Sequence, residues 1–266
     1  MKRWGFNSII AAVMLASLVA PPANALGNER DSTVWGHIFA GPNSVKTFNA
    51  TNTFGAHLES KSKFEVTYNN FPAWAQTDIQ AALDVWAANF QSTVPIKVEA
   101  TWGRSQVYGL LGSARPGNYF NNFINAPDPT LWYPSALANA LAGRDLDKNN
   151  PEIVIQVNSA AAWDTRNDGK PSGAEYDLQS VFIHEIGHGL GFLSTDSYDP
   201  FFGYGSIDQP TPYDAYLQLS DGRRLSDLPS PSVELGRALT STLLWSGAKG
   251  IAANRSEEHT SELQSH

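Results

Sequence analysis

The stretch that most constrains this chain is Asp177-Leu-Gln-Ser-Val-Phe-Ile-His-Glu-Ile-Gly-His-Gly-Leu-Gly191. Asp177 has the side chain of a helix N-cap and Gly191 the freedom of a helix stop, so the sequence predicts a helix over Leu178 to Leu190. Val181-Phe-Ile183 on one side and Gly189-Leu-Gly-Phe192 on the other mark a largely buried helix. It nevertheless carries His184, Glu185 and His188, and three polar side chains there are costly without a partner. Histidines four residues apart are separated by ~40° around a helix of 3.6 residues per turn, so both rings leave one face. Their nitrogens can then reach one divalent ion at the ~2.0–2.1 Å expected for zinc. Glu185 falls beside such an ion rather than among its ligands, where it can take a proton from a metal-activated water and pass it to a leaving amine. The competing reading is a surface helix that happens to hold these three residues, and the apolar flanks speak against it.

What the chain lacks narrows the chemistry further. With no cysteine among 266 residues, disulfides, iron–sulfur clusters, thiolate zinc sites and cysteine nucleophiles are excluded. A net charge of -8 argues against a nucleic-acid partner, which calls for a basic face. A hydrophobic share of 42% supplies a core for one large domain or two small ones.

Both ends read as segments outside the fold. Lys2 and Arg3, the apolar run Ile9 to Ala20, the break at Pro21-Pro22 and the small residues Ala23-Asn-Ala25 read as a signal peptide over residues 1–25. The run is shorter than the ~20 residues a membrane span needs, and no later stretch is long enough, so no span is expected after cleavage. An acidic exported chain without disulfides suits a bacterial periplasm or the surrounding medium, hence a secreted or periplasmic location. At the other end, Arg255-Ser-Glu-Glu-His-Thr-Ser-Glu-Leu-Gln-Ser-His266 has no apolar period and looks like a sequencing-adapter oligonucleotide translated in frame. The expectation is that Asn254 is the last natural residue, that residues 255–266 are an artefact, and that His259 and His266 are not ligands.

Between these ends the pattern alternates strand and helix. A Gly, Asn and Thr-rich stretch, Gly41 to Gly55, lies within an N-terminal extension over residues 26–63. Phe64 to Tyr68 alternates as a half-buried strand. Pro72 stands where a first helical turn tolerates it, and Ala75, Ile79, Ala82, Leu83, Trp86 and Phe90 predict an amphipathic helix over Ala73 to Phe90. Ile96 to Trp102 and Ile153 to Val157 predict two further strands, with another near Tyr108 to Ser113. Ser135 is a candidate cap for a short helix ending at Gly143. Little regular structure is expected between Gly191 and Val233. The order predicts an α/β (α+β) fold with a twisted mixed sheet, over a catalytic domain spanning 64–254.

The string His184-Glu-Ile-Gly-His-Gly-Leu-Gly-Phe192 resembles the metzincin clan of zinc endopeptidases, whose pattern is H-E-x-x-H-x-x-G-x-x-H. Gly191 matches the glycine at which the chain turns under the metal, and Ser194 stands where the pattern has its third histidine. The resemblance is therefore to the leishmanolysin-like bacterial exported branch, in which an insertion delays that histidine. Trp132 to Asp145, Pro212 to Tyr216 and Leu225 to Pro229 are similar to that branch as well. It implies a zinc metalloendopeptidase acting on protein or peptide substrates, with His184 and His188 as metal ligands and Glu185 as the catalytic acid–base. It also implies a last ligand and a methionine turn beyond residue 254, so that the domain is truncated here; Met1 and Met14 are the only methionines.

Other side chains compete for the site. His37 and His57 lie far upstream among polar residues. Asp196 and Asp199 follow the helix closely but read as turn caps. Tyr204, Tyr213 and Tyr216 could face an oxyanion but read as packing residues. Asp145, Asp147 and Asn149 have the first spacings of a calcium loop without its later ones. Ile153 to Val157 is the expected strand for holding an extended substrate, a role that comes from the resemblance. The alternative to the protease is a non-catalytic exported binding or adhesion module in which the histidine pair holds zinc structurally or weakly. The sequence leaves the oligomeric state open.

Overall fold

The computed structural model describes residues 27–40, 59–166 and 170–248. The expected signal peptide, His57, all of Gly41 to Gly55 and the tail from 255 lie outside the described residues. The chain is a mixed α/β protein with four α-helices and several sheets among the described residues. No helix among them is long and apolar enough to cross a membrane.

The main sheet has five strands in the order β2-β5-β8-β4-β3: Gly36–Phe39 (β2), Leu110–Pro116 (β5), Ile153–Asn158 (β8), Ile96–Gly103 (β4) and Phe64–Asn69 (β3). β3, β4 and β8 run parallel, in register Phe64↔Ile96 and Val98↔Ile153. β5 turns back antiparallel to β8, and β2 antiparallel to β5. Parallel neighbours need a crossover, and α1 (Ala73–Asn89) supplies the one between β3 and β4. Ile153, Ile155 and Val157 of β8 are buried while Gln156 is exposed, the period-two pattern of a strand that shows one face to the core.

That face carries α1 and α3 (Leu178–Leu190). Ala75, Ile79, Ala82 and Leu83 of α1 pack with Leu178, Val181, Phe182, Ile186 and Leu190 of α3 in one core. Asp177 caps α3 as expected, accepting from the Ser180 backbone N–H at 2.8 Å, and Gly191 ends it at φ 113°. Trp86 ties the two helices together, its Nε1–H donating to the Ile183 carbonyl at 2.9 Å.

A second sheet joins β1 (Asn28–Asp31), β6 (Asn118–Asn121) and β7 (Tyr133–Pro134), with α2 (Ser135–Ala142) beside it. Ser135 does not cap α2. Pro134 takes the cap position, and the Ser135 hydroxyl instead donates to the Glu152 carbonyl at 3.0 Å, linking the helix to the start of β8. Gly143 ends the helix in the left-handed region, as predicted. Beyond Gly191 the chain forms short pairs, β9 (Ser197–Asp199) with β10 (Tyr204–Ser206) and β11 (Leu217–Gln218) with β12 (Leu244–Trp245), plus α4 (Val233–Leu239). These surround a small separate core of Tyr213, Leu217, Leu225, Leu228, Leu235 and Ala238.

Candidate metal centre

The two histidines meet. The Nε2 atoms of His184 and His188 lie 2.8 Å apart, with their rings at 89°. His188 Nδ1 sits 2.8 Å from the Phe192 carbonyl oxygen. A carbonyl can only accept, so Nδ1 carries the proton and the Nε2 lone pair of neutral His188 is left facing His184. Gly191 produces this contact. Its left-handed turn lets the Phe192 N–H donate to the Gly187 carbonyl at 3.0 Å and brings the Phe192 carbonyl back over His188. Crowding by protein atoms and then the neighbouring His188 push His184 down to about 4. Burial also lowers His188, against the upward pull of its Phe192 bond, and the charge of His37 lowers it further. Both rings are therefore neutral at pH 7, the state a metal ligand requires.

Glu185 is fully buried, and neither carboxylate oxygen has a hydrogen-bond partner. Burial raises its carboxyl well above the usual range. The reason is local. Gly112 of β5 lies against it, so close that a Cβ there would come 2.9 Å from Glu185 Oε1. Gly36 of β2 does the same at His188, where a Cβ would fall 2.3 Å from the ring. Backbone without side chains presses onto α3 at both residues.

The histidine pair fits zinc as two corners of a site. Two imidazole nitrogens on one tetrahedral zinc sit about 3.3–3.4 Å apart, so a small rotation of either ring from 2.8 Å meets the requirement. An Nδ1–H to a backbone carbonyl is the bond that orients a metal-binding histidine and raises its basicity. Among the described residues no group of three or more His, Cys, Asp or Glu side chains could hold a metal ion.

The other candidates lie elsewhere or are engaged. His37 follows Gly36 on β2 and by strand alternation faces away from α3. It is exposed and stacks on Phe39, with ring centroids 6.0 Å apart. Asp199 caps a turn as expected, accepting from Phe201 N at 2.8 Å. Asp196 does not: burial and then the nearby Asp214 push its carboxyl up to about 8. Tyr213 and Tyr216 pack on Trp245 at 5.3 and 5.1 Å, and Tyr204 is exposed on β10. Asp145 is paired with Lys97 at 2.8 Å, and Asp147 accepts from the Asn149 backbone and the Asn118 side chain, so these carboxylates brace a turn.

The substrate-strand expectation needs correcting. Ile153–Asn158 is flanked by β4 and β5, and an interior strand has no free edge to offer a peptide. Beside α3 the sheet ends at β2, which pairs antiparallel with β5. The sequence reading missed Gly36, Gly112 and the Phe192 carbonyl. A glycine inside the apolar run Leu110-Leu-Gly-Ser-Ala114 is a legible sign of close backbone approach, whereas a backbone carbonyl leaves no sign at all. Compared with protein-family profiles, curated proteins and solved structures, the chain matches none.

Proposed function

We propose that the protein is a zinc-dependent endopeptidase, exported as its N-terminal sequence suggests, with His184 and His188 holding the metal and Glu185 moving the proton. The observation that carries this reading is the conjunction on one helix of two neutral imidazoles, one with its tautomer set by Phe192, and a buried carboxyl without a partner. Zinc there would supply Lewis acidity, polarising a peptide carbonyl and bringing the pKa of water towards 7. The chain's own groups do the rest. His188 is held in the ligating tautomer by Phe192. Glu185, made more basic by burial, accepts a proton at Oε1 or Oε2 and returns it to the departing amine. The metzincin resemblance of His184 to Phe192 supports the reaction class.

One observation favours the second reading, a binding module with a weak or structural zinc site: the described residues offer the pair no third donor. Metal analysis and casein hydrolysis on the purified protein separate the two. The protease binds one zinc, loses activity to a chelator and regains it with zinc. Glu185→Gln keeps the metal and loses about 10²–10⁴-fold in hydrolysis. Unchanged hydrolysis in Glu185→Gln overturns the assignment.

A further inference from the structure

Outside α3, buried polar groups without partners gather in one place. Among the described residues ten buried side-chain oxygen and nitrogen atoms have no hydrogen-bond partner, and seven of them belong to Arg30, Ser32, Tyr119, Asp196 and Asp214. Tyr119 of β6 links these residues. Its hydroxyl stands beside that of Ser32 and feels the charges of Arg30 and Asp214, and the Arg30 guanidinium lies over its ring at 4.5 Å. Asp214 in turn acts on Asp196, and the Ser194 hydroxyl lies next to both carboxyls. Buried polar groups are normally bonded, so this concentration of unsatisfied atoms calls for an occupant.

The charges say which kind. Asp214 is 2% exposed; its Oδ2 accepts from the Thr211 backbone and hydroxyl at 2.8 and 2.9 Å, while its Oδ1 has no partner. Both Asp196 oxygens also lack one, and the exposed Asp208 sets a third carboxylate near Asp196. None of these three takes part in an ion pair among the described residues. The one cation nearby, Arg30, lies instead on the rings of Tyr119 and Trp132. Three carboxylates against one guanidinium leave two negative charges unbalanced, and water alone cannot offset them. A divalent cation can. The Tyr119 hydroxyl is an independent pointer: 1% exposed and unpartnered, it is free to donate to a water held by such an ion.

The donor set selects the ion. Every group here offers oxygen, which suits a hard cation, whereas zinc favours nitrogen and sulfur. Calcium takes its oxygens from carboxylates, hydroxyls, carbonyls and waters in flexible geometry, so two carboxylates suffice as its charged ligands.

We propose that Asp196 and Asp214 hold a calcium ion, with Ser194 beside it and Asp208 at the mouth, which staples the segment leaving α3 to the small C-terminal core. Two bonds already run along this seam: Thr195 Oγ1 donates to the Gln209 carbonyl at 3.0 Å, and the Trp132 N–H to the Pro210 carbonyl at 2.8 Å. The ion joins the same segments at their buried carboxyls. The proposal is independent of the endopeptidase reading.

Thermal melts and terbium luminescence on the chelator-treated full chain test it. With the affinity usual for exported calcium modules, about 10 mM calcium should raise Tm by roughly 3–10 °C. Terbium, excited through the neighbouring aromatic rings, should bind at one site and be displaced by calcium. Asp196→Asn breaks no hydrogen bond, because both oxygens it alters are unpartnered. It should remove the calcium shift and the terbium signal, and melt without calcium at least as high as the unaltered protein, since it takes away one of two repelling charges. His184→Ala and Asp147→Asn should keep the shift, which separates this site from the histidine pair and from the turn at Asp145. Absence of any calcium shift or terbium signal in the unaltered protein overturns the proposal, leaving a proton shared by the two carboxyls. A shift that survives Asp196→Asn, or that is lost in His184→Ala or Asp147→Asn instead, overturns it as well.

Discussion

Replacing Gly191 by alanine tests how the end of α3 aims the site. Two costs can be read from the structure. Gly191 sits at φ 113°, where a side chain is strained, and a Cβ there would lie 2.7 Å from Cγ of Pro134, the residue that starts α2. The strain costs about 1–2 kcal/mol and the overlap with a stiff ring about 1–3 kcal/mol. Together they destabilise by about 2–5 kcal/mol, or roughly 4–20 °C in Tm for a chain of this size. Gly143→Ala is the control, because it is also left-handed, at φ 67°, but has nothing within 4 Å of the added atom. It should show the strain alone. Thermal melts by circular dichroism on both variants, and on Gly191→Ala combined with Pro134→Ala, separate the contributions: a coupling of at least about 1 kcal/mol between positions 134 and 191 is expected. Where Gly191→Ala is still folded, displacement of the Phe192 carbonyl should weaken zinc binding about 10–100-fold. If Gly191→Ala melts with Gly143→Ala and shows no coupling to Pro134, the account of the turn is wrong.

Two further outcomes follow from buried polar groups. Burial, then the charges of Asp177 and Asp164, push Asp78 on α1 up to about 7, above its ordinary 3.8. Its folded form holds the proton more tightly than the unfolded chain, so its contribution to stability is complete below about pH 4 and is lost as pH rises to about 7. Asp78→Asn should flatten that fall, removing up to about 1.4 kcal/mol per pH unit, as urea titrations between pH 4.5 and 7.5 would record; parallel curves for the two proteins would refute it. Trp86→Phe removes the donor to the Ile183 carbonyl and part of the packing against Gly187. It should cost about 1–2 kcal/mol in urea unfolding, and no loss would show that this bond does not tie α1 to α3.

The helix bearing the candidate centre was fully legible because every signal agreed. Asp177 and Gly191 bound it, and the spacing of His184 and His188 sets the meeting of their rings. The β3–α1–β4 unit was equally plain, with its ends within a residue or two of those read from apolar period. Strand order was not legible. Ile153 to Val157 reads as a strand suited to a peptide, but whether a strand lies at an edge depends on which segments flank it, and those come from residues 96–103 and 110–116. β1 and β2 escaped notice because Asn28–Asp31 and Gly36–Phe39 are too short and too exposed to show a period. Ser135 looked like a cap because a hydroxyl before an apolar run usually is one. The carbonyl of Glu152, seventeen residues away, competes for it successfully.

Three glycines explain why the candidate centre lies close to the sheet and is covered by it. α3 approaches β8 through Gly189, where a Cβ would fall 2.3 Å from Ile153 Cγ2, β5 through Gly112, and β2 through Gly36. An added side chain at any of these three positions would meet atoms of the facing element, so each contact needs its glycine. The closeness buries Glu185 completely and thereby raises its carboxyl well above the usual range. It also sets Gly36 of β2 directly against the His188 ring. Burial of the carboxyl and the cover over His188 therefore have a common origin in backbone packing. Both depend on β5, which is bonded to β8 on one edge and to β2 on the other and so holds Gly112 over Glu185 and Gly36 over His188.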